Sequence, residues 1–75
     1  MTEREEKILE LSIYAINNDF YDYNSRCEKI PNTDKYYVRV SGEEAIQTET
    51  ELIENFLKLE DRDKMEIIES YLKEN

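Results

Sequence analysis

One proline, Pro31, and one glycine, Gly42, are the only strong backbone breakers in a chain of 75 residues. Proline disfavours helical geometry in the residue before it, and glycine is the residue a tight turn takes most readily. Pro31 sets the limit of any helix that precedes it, and Gly42 falls in a stretch that reads either as a turn or as the start of a helix. They leave long stretches with few breaks on either side. A chain of this length is one domain, residues 1–75, able to bury a small core but no deep active-site cavity.

Before Pro31, the spacing predicts a helix over 3–18. Leu9, Ile13, Ile16 and Phe20 recur at intervals of four, three and four and share one face. Thr2 is placed to cap this helix, and Glu3, Glu5 and Glu6 suit the positive end of its dipole. Asn17-Asn18-Asp19 supplies a stop. Tyr23, Cys27 and Ile30 continue the same spacing, so a helix running on to Pro31 stays open. So does a strand within 20–29 in which Tyr21, Tyr23, Ser25 and Cys27 alternate. We read a break near residue 18 followed by extended chain, because Tyr, Phe and Asn are indifferent helix formers.

After a turn at Pro31-Asn32-Thr33-Asp34, Lys35 to Val40 forms the strongest strand, with Tyr36, Val38 and Val40 on one face and Lys35, Tyr37 and Arg39 on the other. Ser41-Gly42-Glu43-Glu44 admits two readings. As Ser-x-x-Glu it is a capping box that opens a helix; as a turn it closes a hairpin onto residues 45–50. The hairpin is preferred, because a helix from 42 would have no apolar residue between Ile46 and Leu52. Closed by a three-residue loop, it sets Val38 opposite Ile46, Tyr36 opposite Thr48 and Lys35 opposite Glu49. Thr48 and Glu51 make a second capping box, ahead of a helix carrying Leu52, Ile53, Phe56, Leu57 and Leu59. Asp61 caps the last helix, where Met65, Ile68 and Leu72 form an apolar line beside Ile67 and Tyr71. These two helices form a tight hairpin. The expected fold is α+β: an N-terminal helix, a small antiparallel sheet of two or three strands, and two C-terminal helices.

The inventory argues against catalysis. There is no histidine, so Ser12, Ser25, Ser41 and Ser70 have no imidazole to activate them. Cys27 has Arg26 and Lys29 nearby but no base; it reads as a small semi-buried apolar residue. No glycine-rich phosphate loop is present. Asp61-x-Asp63 superficially resembles the start of a calcium loop, but Met65 and Glu66 stand where a third oxygen ligand and a glycine belong. No enzyme activity, metal or cofactor is expected. The longest apolar run is Ile13 to Ile16, and the chain opens on acids. A membrane span and a signal peptide are therefore not expected, and the single cysteine fits a cytoplasmic protein.

Charge is the informative property. Nineteen acids face ten bases, a net charge of −9, which argues against direct nucleic-acid binding. Residues 1–30 carry −3, residues 31–42 carry +1 and residues 43–75 carry −7. Between Arg39 and Lys58 there is no base, and there are five acids: Glu43, Glu44, Glu49, Glu51 and Glu54. Carboxylates two apart on a strand sit about 6.6 Å apart, and those three or four apart on a helix about 5–6 Å. These intervals are close to that between successive phosphates of a nucleic-acid strand. An acidic surface of this kind suits a basic nucleic-acid-binding protein, with electrostatically steered association. The candidate partner-binding residues are Glu43, Glu44, Glu49, Glu51, Glu54, Asp61 and Asp63, with Tyr37 as an aromatic on the outer sheet face.

In size, charge and element order the chain resembles small phage-encoded anti-CRISPR proteins. That resemblance implies an inhibitor from a phage or mobile element, occupying the nucleic-acid-binding surface of a protein such as a CRISPR effector nuclease. The tail Leu52-Ile53-x-x-Phe56-x-Lys58-Leu59 with Asp63-Lys64-x-x-Ile67-Ile68-x-x-Tyr71-Leu72 is similar to the helical hairpin that follows the DNA-binding domain of phage-type helix-turn-helix repressors. The basic recognition helix of those proteins is missing. This second resemblance implies an alternative: an antirepressor or dimeric accessory protein binding through an apolar helix face, either Leu9/Ile13/Ile16/Phe20 or the 52–72 hairpin. A homodimer belongs to that alternative.

Overall fold

The computed structural model describes residues 1–74. The elements are α1 (Glu3–Asn17), β1 (Arg26–Lys29), β2 (Lys35–Val40), β3 (Glu43–Thr48), α2 (Glu49–Leu57) and α3 (Asp61–Glu74). The strands form one antiparallel sheet in the order β1-β2-β3. This is the small α+β fold that the pattern of residues predicts.

Helix α1 begins with a capping box. The Glu5 N–H donates to Thr2 Oγ1 at 3.1 Å, and the Thr2 N–H donates to Glu5 Oε1 at 3.0 Å. The helix buries Leu9, Ser12, Ala15 and Ile16. Phe20 does not join that face and stays 38% exposed. The reason is Asp19, whose φ of 62° swings the chain out of the helix before the 3.6-residue period reaches Phe20. Asn24 repeats the left-handed conformation at φ 66°, so no helix runs on to Pro31. The alternating strand is shorter than residues 20–29: only Arg26–Lys29 pairs, and Tyr21, Tyr23 and Ser25 belong to the loop. Tyr21 is half-buried and packs against the core, while Tyr23 points outward.

The hairpin corrects the register expected from the sequence. Ser41 at φ 55° and Gly42 at φ 79° close it with two residues, not three, in the geometry of a type I′ turn. Val38 therefore faces Ala45, Tyr36 faces Gln47 and Lys35 faces Thr48. A one-residue slip reverses every side chain of a strand. Ile46 accordingly lies opposite Tyr37 on the outer face, 55% exposed, instead of over the core.

Thr48 ends β3 and caps α2 in the same step. Its Oγ1 accepts the Glu51 N–H at 3.2 Å, and its own N–H donates to Glu51 Oε1 at 2.9 Å. Leu52, Ile53 and Phe56 are buried. The small residues Ser12 and Ala15 let α2 approach α1, and Ser12 Oγ donates to the Leu52 carbonyl at 2.7 Å in the dry interior.

Helix α3 starts at Asp61, and the Lys64 N–H reaches the Glu60 carbonyl at 3.0 Å. Glu60 therefore precedes the first turn, and Asp61 lies within that turn rather than at the cap. Ile67 is the fully buried residue of α3; Met65 and Leu72 are 54% and 66% exposed. The apolar line Met65/Ile68/Leu72 thus faces mostly outward. The helix turns its Ile67 side toward α1, where the Tyr14 and Tyr71 rings meet edge-on at 5.4 Å between centroids. Two apolar clusters result. Leu9, Ile16, Cys27, Tyr36, Val38, Leu52 and Ile53 hold α1 and α2 to the sheet. Ala15, Phe56 and Ile67 hold α3 to the helices.

Candidate protein-binding surface

The acidic residues arise from three local structures. Glu43 and Glu44 follow the turn on β3, Glu49, Glu51 and Glu54 lie on α2, and Asp61 and Asp63 sit in the first turn of α3. Successive strand residues point to opposite faces, so Glu43 and Glu44 do not form a single row. Glu43 lines the inner side with Val38, Val40, Ala45 and Gln47. Glu44 stands on the outer side, where it accepts a hydrogen bond from the Tyr37 hydroxyl. That bond is the main cause holding the Tyr37 hydroxyl above its ordinary pKa. Tyr37 is half-buried rather than free, between Glu28 on β1 and Ile46 on β3.

The outer face is mixed in charge. Arg26 and Arg39 are register partners there, and Arg26 reaches Glu28 at 3.4 Å. The uncompensated acids lie at and beyond the β3 edge. Among the described residues Glu43, Glu44, Glu49, Glu54 and Asp63 form no ion pair, whereas Asp61 reaches Lys64 at 3.7 Å. Glu51 is committed elsewhere, because its carboxylate holds the Thr48 N–H and so serves the start of α2.

Three clefts that share walls connect these acids. One, of about 200 Å³, is lined by Phe20, Tyr21, Leu59, Asp63, Glu66 and Ile67. Tyr21 also lines the next, of about 380 Å³, with Ile16, Val38, Val40, Gln47, Asn55 and Lys58. Val38, Val40 and Gln47 then lead to the third, which Glu43 borders. The furrow has carboxylates at both ends and one base, Lys58, beside its middle. Burial first, and the Asp63 carboxylate second, push the Tyr21 hydroxyl above its ordinary pKa.

The structure therefore brings Glu44 and Tyr37 together on the outer face of the hairpin, leaves Glu43 on the inner face and places Asp63 at the far end of the furrow. It adds Tyr21, Ile46 and Glu66, which are not among the candidate residues drawn from the sequence. Ile46 is readable in principle from Ser41-Gly42 as a two-residue turn. Glu66 and Tyr21 meet only through packing of α3 on the loop, which no local signal encodes.

No group of three or more His, Cys, Asp or Glu among the described residues is arranged to hold a metal ion. No helix among them is long and apolar enough to cross a membrane. Comparison with protein-family models, curated proteins and solved structures returned no match.

Proposed function

We propose that this protein is a non-enzymatic inhibitor from a phage or mobile element, and that it binds a basic nucleic-acid-binding protein, such as a CRISPR effector nuclease, through its acidic surface. The observation that carries this reading is the set of carboxylates that form no ion pair among the described residues: Glu43, Glu44, Glu49, Glu54 and Asp63. Solvated carboxylates on rigid elements are preorganised to replace phosphates in a basic groove. The partner would meet the β3 edge and the start of α2, in the cytoplasm of the host.

The test is charge reversal at Glu43, Glu44 and Glu54 together, with Glu51 left intact so that the capping box survives. Capture of the basic partner should be lost, and capture by the unaltered protein should weaken steeply between low and high salt. Capture that is indifferent to both would overturn the reading.

A second reading has its own observation. Met65 and Leu72 are exposed at helical spacing on α3 with Ile68 between them. They favour a helical interaction module that pairs through an apolar face. The other face proposed for that role is occupied, since Leu9 and Ile16 are core residues. A dimer by sedimentation that Met65→Lys with Leu72→Lys dissolves would favour this reading.

A further inference from the structure

The sheet has two edges, β1 and β3, and the fold treats them differently. At β1, the Ile30 N–H donates to the Lys35 carbonyl at 2.9 Å, which fixes the alternation of the ladder. Lys35, Tyr37 and Arg39 direct their backbone groups to β1; Tyr36, Val38 and Val40 direct theirs to β3. Cys27 consequently points its N–H and C=O away from the sheet. Both are taken by the side-chain amide of Asn17, with Cys27 N–H to Oδ1 at 2.8 Å and Nδ2 to the Cys27 carbonyl at 3.1 Å. The middle of that edge is closed by the protein itself.

At β3, the same alternation spends the backbone groups of Glu43, Ala45 and Gln47 on β2. Glu44, Ile46 and Thr48 turn theirs outward. The Thr48 N–H is held by Glu51. The outward backbone groups of Glu44 and Ile46 meet no partner among the described residues. Glu43, Glu44, Ala45 and Ile46 are all exposed, so the strand is bare on its edge and over most of both faces. Exposed Ile46 supplies apolar contact on one face, and Val40 and Ala45 on the other.

We infer that the free edge of β3 takes a fourth strand: an extended, Lys/Arg-rich segment of the partner, bound by backbone pairing at Glu44 and Ile46. This inference rests on the proposed function and specifies how that surface engages. Charge selects the occupant. Residues 40–57 contain no base, and Glu43, Glu44 and Glu49 flank the edge. An alternating basic strand presents its cations on one face, beside Glu44 on the outer side or Glu43 on the inner side, while its backbone completes the ladder. A second copy is the poorer occupant, because pairing β3 with β3 would put four carboxylates and no base into one short ladder.

The experiment uses the full chain, isotopically labelled, titrated with a short synthetic peptide of alternating Lys and Val and with a Glu/Val control. The Lys/Val peptide should slow amide exchange at Glu44 and Ile46, and the control should not. Ile46→Pro removes an outward N–H and no ladder bond, which an edge strand tolerates. It should weaken the peptide by roughly three- to tenfold relative to Ile46→Ala, the size expected for one lost hydrogen bond. Unchanged exchange at both amides at saturation would overturn the inference even if the proline variant failed to fold. So would a β3-paired dimer formed without peptide. If Glu43/Glu44/Glu54 reversal abolishes capture of the partner while Ile46→Pro leaves it intact, the proposed function stands and this inference fails.

Discussion

The side-chain amide of Asn17 pairs with both backbone groups of Cys27, as a neighbouring strand would, and closes the centre of the β1 edge. One residue thus ends α1, fixes where β1 begins and shields an edge. Asn17→Ala leaves the Cys27 N–H and C=O without partners. Two lost hydrogen bonds predict a cost of about 1–3 kcal/mol. Urea unfolding should show a lower midpoint with unchanged slope.

Cys27 lies beneath that contact, and burial first, then the Glu28 carboxylate, push its thiol from 9.0 to about 11. Only the thiolate reacts, so this rise lowers its fraction near neutral pH by about a hundredfold. Alkylation of the folded protein should be slower than that of the denatured chain by at least this factor. The pH dependence of stability follows with a definite sign. The folded thiol keeps its proton where the unfolded one has lost it. Its contribution is therefore complete below pH 9.0 and disappears as the pH climbs to about 11. Burial raises Tyr21 and Tyr36 in the same direction. Denaturant midpoints should fall through this alkaline window.

The two-residue turn makes an asymmetric pair of predictions. A Cβ on Gly42 would meet nothing within 4 Å, so the penalty for Gly42→Ala is the positive φ of 79° alone. Backbone strain of this kind costs about 1 kcal/mol or somewhat more. Ser41 holds φ 55° with a side chain that only tolerates it. Ser41→Asn or Ser41→Gly should leave stability unchanged or raise it by a few tenths of a kcal/mol. Thermal unfolding of the three variants checks the order.

How far the fold is legible in the sequence depends on which elements carry their own signals. Thr2-x-x-Glu5 and Thr48-x-x-Glu51 announce two helices, because a capping box is closed within four residues. The β2 alternation is equally plain. The hairpin register is not, because it turns on whether Ser41 accepts a left-handed backbone, and serine has no strong preference there. Periodicity misplaces Phe20 for the same reason: Asp19 leaves the helix by a conformation that spacing cannot see. At the candidate surface the acids are visible by counting. Their division between the two faces of β3 is hidden by the register, and the diversion of Glu51 into the cap shows only as a bond. The cleft between Tyr21 and Asp63 depends on α3 docking, which is long-range.

Ser12 predicts how closely the helices are set. It is fully buried and donates to the Leu52 carbonyl at 2.7 Å. Ser12→Ala forfeits one hydrogen bond, about 1 kcal/mol. Ser12→Leu forces bulk between α1 and α2 and should cost about 1–3 kcal/mol or more by overpacking. A milder Leu variant than Ala variant, by calorimetry, would show that the interface is looser than these distances require.

Helix α3 is joined to the rest chiefly through Ile67, with a rim of hydroxyl contacts in which Tyr14 meets Ser70 at 2.7 Å and Tyr71 donates to Glu10 at 2.8 Å. Such bonds at the rim exchange readily with water. The helix should therefore be the least stable element and open before the sheet does. In native-state hydrogen exchange the α3 amides should open by a sub-global route, leaving α1, α2 and the strands as one cooperative unit. Each opening would unroof the cleft beside Tyr21 and carry Asp63 away from it, so the shape that a partner meets at that end is set by how often this last helix lets go.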